Sequence, residues 1–324
     1  MGYEVETFTL ADSTARASRN IITSVYGAWK TGKSHFAYHS RRPLYVAYLD
    51  TNPGLDGHLI KSGKAYPGDV EVLRIPPIAY RDLTQEDAVA RTTAVEQFAA
   101  KARFQAADRV ARGEFGGTFV LDGAIMMKGY YEKGELGESA TLGYRAAKGQ
   151  RGGPSTFDYA KSNALFFDFV AGFVGWPIDV VMTWEGRRVY MDVWEEGKKS
   201  SKATDKFKSS QPERMPYAIN ASVETLKIME KIDPADPNSP TIATPRIRVA
   251  WTSETLAFDN MVLPVETFQE FKELLLADTV PVEVLRGLKS AADVIVANEA
   301  GLLVGGAPDV RAVEAGSGDD ADED

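Results

Sequence analysis

Five short runs rich in β-branched and aliphatic residues recur along the first 184 residues of the chain. They occupy 20–27, 43–50, 71–77, 117–123 and 178–184. The clearest of them are apolar almost throughout, which is typical of strands buried on both faces of a parallel sheet. The pattern therefore predicts a mostly parallel central sheet.

Helical patterns fall between and after these runs. The alanine-rich stretch 84–113 has helical periodicity, contains no proline and ends at a glycine. Further helices are predicted at 155–176, near 265–277 and at 281–299. Because strands and helices alternate, we expect helices on both faces of the sheet, that is, an α/β fold.

The later part of the chain shows a different pattern. The segments 222–232 and 245–253 alternate apolar and polar residues, which indicates half-exposed antiparallel strands. Residues 124–154 have little regular pattern and predict a long loop, or a short helix between loops. The stretch 185–216 is predicted to be irregular. A late antiparallel extension of the sheet follows from these assignments.

A chain of 324 residues can bury a large core, so we expect one main domain with appendages. The predicted boundaries are an N-terminal extension (1–19), a core (20–260), a C-terminal helical segment (261–312) and a disordered acidic tail (313–324). The tail ends in DDADED, whose five acids account for more than half of the formal net charge of −9. Any basic binding surface must therefore be local.

Composition excludes several classes of function. The chain has no cysteine, which rules out disulfides, thiolate zinc sites and cysteine nucleophiles, and only three histidines. We find no apolar run near the roughly 18 residues that a membrane span requires, and the first 20 residues lack the apolar region of a secretory signal. These features predict a cytoplasmic protein that does not bind membranes.

The strongest chemical signal is GAWKTGKS at 27–34. A glycine, four residues and then Gly-Lys-Ser is the spacing of a loop whose backbone N–H groups cradle phosphates, and it stands where a strand gives way to a helix. Lys33 is expected to reach phosphate oxygens, and Ser34 to bind Mg²⁺. The predicted cofactors are ATP and Mg²⁺. The predicted nucleotide contacts are Gly27, Ala28, Trp29, Lys30, Thr31, Gly32, Lys33, Ser34 and His35.

Two acids at strand ends compete for the water-mediated Mg²⁺ position. Asp122 ends the run 117–123 and Asp50 ends the run 43–50. We assign the metal role to Asp122, which leaves Asp50 and the residues up to Asp56 beside the terminal phosphate. An acid at a strand end can also simply cap the following loop.

The order of GAWKTGKS, YVAYLDTNPGLD, TFVLDG, FDYAKSNALFFDFV and IDVVMTWEG resembles the RecA core of P-loop NTPases. It is more closely similar to the phage nucleotide-binding AAA proteins of RecA type, a group that includes RecA-like phage single-strand annealing proteins. The resemblance covers residues 20 to about 260, and only the first motif is specific. It implies a RecA-like fold and ATPase activity, together with a role in recombination or annealing on single-stranded DNA.

The chain departs from that pattern at the position that activates water. RecA-like proteins carry a glutamate two residues after the acid of the second strand, where this chain has Asn52. Asparagine cannot act as a base. Either Asp50, Asp56 or Glu185 substitutes as the base, or hydrolysis is slow and the nucleotide serves mainly as a switch. Lys33 is the predicted phosphate-binding catalytic residue. The run 178–184 supplies Thr183 or Glu185 as a polar sensor of the terminal phosphate.

The resemblance places single-stranded DNA at the loops that follow 117–123 and 178–184. The first contains 143–153 and the second 197–210, both basic and each with an aromatic residue, which suits backbone tracking and base stacking. The alternative is that these lysines and arginines are simply solvated. The predicted DNA contacts are Tyr144, Arg145, Lys148, Arg151, Lys198, Lys199, Lys202, Lys206 and Lys208.

Three functional hypotheses remain open from the sequence. The leading one is an ATP-binding protein of RecA type that acts on single-stranded DNA as a homo-oligomeric ring or filament. A single-strand-binding protein is a candidate partner, and the acidic tail a candidate regulator. The others are a P-loop phosphotransferase acting on a small substrate, and a nucleotide-switched assembly protein with little catalysis, which Asn52 favours.

The resemblance also implies a cation that reaches the nucleotide of a neighbouring subunit, as in recombinases. The candidates for this cation are Arg187, Arg188, Arg246 and Arg248.

Overall fold

A computed structural model gives the structure of most of the chain. It describes residues 19–50, 54–137, 159–195, 198–212, 214–232, 239–253, 258, 261–276 and 303–304. The predictions for 143–153, 281–299 and the acidic tail concern residues outside these ranges. Within them, no helix is both long and apolar enough to cross a membrane.

The protein has an α/β fold built on a large mixed sheet. The strands are β1 (Ile22–Tyr26), β2 (Leu44–Tyr48), β3 (Val70–Arg74), β4 (Thr118–Asp122), β5 (Asp179–Thr183), β6 (Gly186–Glu195), β7 (Lys198–Ser209), β8 (Ala221–Lys231), β9 (Thr241–Thr252), β10 (Val262–Leu263) and β11 (Leu303–Val304). The described helices are α1 (Lys33–Tyr38), α2 (Leu55–Ala65), α3 (Gln85–Ala111), α4 (Ala124–Leu136), α5 (Tyr159–Ala171) and α6 (Phe268–Leu276). A short 3₁₀ helix spans Met215–Tyr217.

The strand order of the main sheet is β10-β9-β8-β1-β5-β4-β2-β3. The six strands from β8 to β3 run parallel, whereas β9 and β10 continue the sheet antiparallel and β11 pairs antiparallel with β8. The predicted parallel sheet and its late antiparallel extension are confirmed. Because β1, β5 and β4 are adjacent and parallel, their carboxyl ends lie at the same edge of the sheet.

Side chains of the central strands alternate between two cores, one on each face. Phe119 and Leu121 of β4 pack with Phe166 of α5, while Val120 packs on the opposite face with Phe36 of α1 and Phe268 of α6. β1, β2, β4 and β5 are buried along their whole length, as the continuous apolar runs predicted. In β4 and β5 the polar residues are confined to the strand ends.

The long helix α3 follows its sequence signals closely. The Thr84 hydroxyl accepts the Asp87 backbone N–H at 3.0 Å, and the Asp87 carboxylate accepts the Thr84 N–H at 3.4 Å, which forms a capping box. The helix ends two residues before Gly113, whose φ is 78°. The prediction of a helix over 84–113 is confirmed.

The prediction that 185–216 is irregular is wrong. β6 and β7 pair antiparallel with each other, from Gly186↔Ser209 to Glu195↔Lys198, and form a separate two-stranded sheet. β7 reads KKSSKATDKFKS and shows no apolar alternation, so the periodicity that identifies half-buried strands is missing. The ribbon is identified by its main-chain pairing.

Residues 124–154 also differ in part from their main prediction. The first thirteen form α4, as the short-helix alternative expected, although its two glycines weaken its helix propensity. α4 packs its buried residues Met127, Tyr130 and Tyr131 into the core that contains α5. Residues 138–154 lie outside the described part of the chain.

A buried ion pair fastens α6 to the amino end of β5. Lys272 Nζ donates to both carboxylate oxygens of Asp179, at 2.8 and 2.7 Å, and the Ile21 backbone N–H donates to the same carboxylate at 3.0 Å. Burial raises the pKa of Asp179, and Lys272 opposes that shift. The pair ties the last described helix to the centre of the sheet.

We predict that Lys272→Met lowers the free energy of unfolding by about 3–5 kcal/mol, because it leaves Asp179 buried without its cation. Urea denaturation measures the change. Lys101→Met is the matched control, since it breaks the exposed pair with Glu71 and should cost no more than about 1 kcal/mol. Equal losses in the two variants would contradict the prediction.

Candidate nucleotide-binding site

The loop 27–34 leaves β1 and enters α1 with glycines where the backbone needs them. Gly32 has φ 106°, which favours glycine, and Lys30 adopts the same left-handed region at φ 60°. A Cβ on Gly27 would lie 2.6 Å from the Thr225 hydroxyl, so no side chain fits there. The strained Lys30 and the two glycines give the loop a shape that few other sequences would adopt.

The loop is anchored to the neighbouring strand β8. The Thr31 and Thr225 hydroxyl oxygens are 2.7 Å apart, and Thr31 Oγ1 also donates to Ala28 O at 2.8 Å. Thr225 Oγ1 in turn donates to Tyr26 O at 3.3 Å. These contacts hold the loop between β1 and β8.

Lys33 folds back over the loop. Its ammonium donates to Ala28 O at 2.9 Å and Gly27 O at 3.2 Å. Burial lowers the pKa of Lys33, and the carboxylates of Asp122, Glu185 and Asp50 oppose that shift. The ammonium therefore lies within electrostatic range of three acids that come from three different strand ends.

Asp122 is a buried carboxylate held by hydroxyl groups. Thr183 Oγ1 donates to its Oδ1 at 2.5 Å and itself accepts the Gly123 backbone N–H at 2.9 Å. The Tyr38 hydroxyl donates to Oδ2, and the Ser34 side chain lies near enough to help lower the pKa of the carboxyl. Burial raises the pKa of Asp122, while these hydrogen bonds lower it.

The structure thus brings together most of the predicted phosphate-site residues. Ser34 lies near Asp122, and Lys33 lies within the electrostatic reach of Asp50 and Glu185. Asp56 instead forms an exposed ion pair with Arg74. Residues 51–53, which include Asn52, lie outside the described residues.

The ribbon β6–β7 begins at this site. Gly186 N donates to Gly27 O at 3.0 Å, and a Cβ on Gly186 would lie 2.9 Å from the Gly27 carbonyl carbon. The Ser210 hydroxyl closes the base by donating to Glu185 O at 2.9 Å. The first residue of the ribbon is therefore in direct main-chain contact with the first residue of the loop.

The predicted DNA contacts divide by what the structure describes. Lys198, Lys199, Lys202 and Lys206 belong to β7, and Lys208 of the same strand is exposed and pairs in register with the exposed Arg187. Tyr144, Arg145, Lys148 and Arg151 lie outside the described residues. One of the two predicted basic segments, 197–210, thus lies mostly on strand β7.

Two candidates for a cation offered to a neighbouring nucleotide are engaged within the chain. Arg248 forms a largely buried ion pair with Glu224, and Arg246 donates to Glu266 at 3.1 Å. The Arg187 side chain is exposed. Of the three, Arg187 is the arginine whose position best suits that role.

Some site residues were not predicted from the sequence. Tyr38 gave no signal beyond its place four residues after Ser34, one helical turn along α1. Thr225 and Gly186 become part of the site only because β8 and the start of β6 lie against the loop. No periodicity encodes such contacts between distant segments.

The donor set fits magnesium held mainly by phosphates and water. Among the described residues, no group of three or more histidine, aspartate or glutamate side chains is placed to hold a metal ion. Mg²⁺ in phosphate-transfer sites takes one or two protein groups and completes its shell with phosphate and water oxygens. A serine beside a buried aspartate meets that requirement.

All three histidines of the chain gather behind the loop. The rings of His35 and His39 are 4.0 Å apart, and His58 lies against Tyr38 with ring centroids 5.9 Å apart. Burial, helped by repulsion from His39 and His58, lowers the pKa of His35 from 6.5 to about 4. Burial likewise lowers the pKa of His58.

This cluster predicts a loss of stability in acid. Between pH 6.5 and about 4 the folded protein binds the His35 proton more weakly than the unfolded chain, so the free energy of unfolding falls as the pH drops through that window. Urea denaturation of ligand-free protein at pH 7.5 and 5.0 should show a smaller loss in His35→Gln than in the wild type. Equal losses would mean that His35 does not carry the effect.

No protein-family model matches the chain, and no curated protein matches it either. A functional assignment therefore depends on the residues and their geometry alone.

Proposed function

We propose that the protein is a Mg²⁺-dependent ATP-binding protein of RecA type that acts on single-stranded DNA in recombination or annealing. The proposal of nucleotide binding is supported by one observation. Lys33, Ser34 and Asp122 lie near one another at the adjacent carboxyl ends of β1, β4 and β5. In open parallel sheets, ligands bind outside the carboxyl ends of the strands. The three side chains with phosphate-site chemistry stand at that edge.

The residues present fit ATP and magnesium. The Lys33 ammonium now donates to loop carbonyls, and it would donate to phosphate oxygens when nucleotide is bound. The Ser34 oxygen could bind the metal while its hydroxyl proton is donated to the nearby Asp122 carboxylate. Bound magnesium neutralises charge that develops on the phosphates.

Hydrolysis, if catalysed, depends on an acid other than the usual glutamate. Glu185 is exposed and follows β5 by two residues, and Asp50 follows β2 by two residues. Both carboxylates act electrostatically on Lys33. Thr183 is occupied by Asp122 and Gly123, which suits a role in coupling the strand end to the phosphate site. We propose slow ATP hydrolysis that serves mainly as a switch.

The RecA-like part of the proposal is supported by strand order. The strand that carries the loop and the strand that carries Asp122 are separated by β5, and the antiparallel strands β9 and β10 extend the sheet beyond β8. This arrangement agrees with the order of motifs that suggested the resemblance. A cytoplasmic location and assembly into a homo-oligomer belong to the same proposal.

The DNA part is supported by the ribbon. β7 carries five lysines, and the base of the ribbon touches the phosphate loop through Gly186. A basic element joined directly to a nucleotide site is suited to DNA binding that changes with the bound nucleotide. The same contact also supports the second candidate, a nucleotide-switched assembly protein with little catalysis.

We predict that Lys33→Ala abolishes nucleotide binding while the protein stays folded. The substitution removes the one loop ammonium that reaches the phosphate position. Isothermal titration with ATP and Mg²⁺ measures binding, and circular dichroism reports the fold. Lys61→Ala on α2 is the control and should bind normally; unchanged affinity in Lys33→Ala would remove the phosphate-loop assignment.

Neutralising Lys198, Lys199 and Lys202 together to glutamine should weaken binding of single-stranded DNA. Each lysine that no longer neutralises a DNA phosphate should reduce the slope of log affinity against log salt by roughly 0.7, so the slope should fall by about 2. Fluorescence anisotropy of a labelled oligonucleotide, with no nucleotide, ADP or a non-hydrolysable ATP analogue, measures both effects.

A charge-matched control changes Lys61, Lys64 and Lys161 to glutamine and should leave the slope unchanged. An unchanged slope in the β7 variant would place the DNA site elsewhere. Failure of the wild type to bind in any nucleotide state would favour a small-molecule phosphotransferase or an assembly protein.

A further inference from the structure

The carboxylate of Asp122 has acceptor positions left for further partners. An ionised carboxylate offers roughly four acceptor positions. Hydroxyl groups of Thr183 and Tyr38 already donate to it, and Ser34 lies nearby. The remaining acceptor positions are available to Ser34 and to a water molecule bound to the metal.

The three hydroxyl groups near Asp122 differ in what else they do. Ser34 belongs to the phosphate loop, and Thr183 is tied to the Gly123 backbone, so both have other tasks. The Tyr38 hydroxyl has the Asp122 carboxylate as its hydrogen-bond acceptor, and its ring is completely buried in the core between α1 and the sheet. A ring fixed by packing holds its hydroxyl in one place.

A second tyrosine nearby shows that this contact is selective. Tyr48 ends β2 and pairs in register with Asp122, and its hydroxyl is buried without any hydrogen-bond partner. Two buried phenols therefore stand near the same carboxylate, and only Tyr38 donates to it. The contact depends on the geometry of α1 and is not a general result of crowding tyrosines together.

We infer that Tyr38 is a positioning residue that fixes the orientation of the Asp122 carboxylate, and that its hydroxyl thereby sets the Mg²⁺ dependence of nucleotide binding. Because it rests on the proposed function, this role concerns the same phosphate site. Tyr38 lies on α1, which begins in the loop, so the loop and the orientation of the acid are set by one helix. Groups that orient a metal-site ligand typically change metal affinity by 10–100-fold when removed.

The test compares Tyr38→Phe with Tyr48→Phe and the wild type. Each variant keeps its buried ring and loses one hydroxyl beside Asp122. Binding of a fluorescent ATP analogue is measured across a series of Mg²⁺ concentrations, and thermal unfolding of ligand-free protein is followed in parallel. In Tyr38→Phe the Mg²⁺ midpoint should rise about 10-fold, with affinity at saturating Mg²⁺ within about twofold of the wild type. In Tyr48→Phe the midpoint should not move.

The outcomes separate the role from its alternatives. A uniform loss of affinity at every Mg²⁺ concentration in Tyr38→Phe would mean a purely structural role and overturn the inference. An equal rise of the midpoint in both variants would also overturn it, since the hydrogen bond would then not be the cause. If the wild type binds no nucleotide at any Mg²⁺ concentration, the proposed function fails and the inference falls with it.

Discussion

Burial of the central strands on both faces is the constraint on which the rest of the structure depends. With apolar cores above and below the sheet, β4 and β5 carry their polar residues at their ends. Asp122 and Thr183 end β4 and β5, and Asp50 follows β2 by two residues. Parallel alignment places all of them at one edge, where the loop after β1 also lies. The site is thus a consequence of the sheet, and the helices serve to bury it and orient it.

Hydroxyl groups, rather than cations, hold the Asp122 carboxylate in place. Thr183 and Tyr38 donate to Asp122, and the nearest ammonium, Lys33, is itself hydrogen-bonded to the loop. Neutral donors orient a carboxylate without cancelling its charge. That leaves the negative potential available to a bound cation, which a direct salt bridge would consume.

The sequence predicted those parts of the protein whose signals are local. The turn from β1 into α1, the buried strands and α3 with its capping box each depend on neighbours along the chain, and each could be predicted from residue types and spacing. The ribbon β6–β7 could not be predicted in this way, because its strands pair through main-chain groups and the sequence of β7 shows no apolar alternation. Tyr38 and Gly186 were missed for a related reason: their roles exist only once α1 and the start of β6 lie beside Asp122 and Gly27.

The contact between Gly27 and Gly186 has a mechanical consequence. No side chain lies between the two backbones, and a Cβ at either position would collide with its surroundings, so the base of the ribbon cannot slide over the loop. The strand pairing shifts register between Arg188 and Tyr190, close to that base. A bulge is where a ribbon bends most readily. The outer part of β6–β7 can therefore bend at this register shift, while the base of the ribbon stays hydrogen-bonded to the loop 27–34.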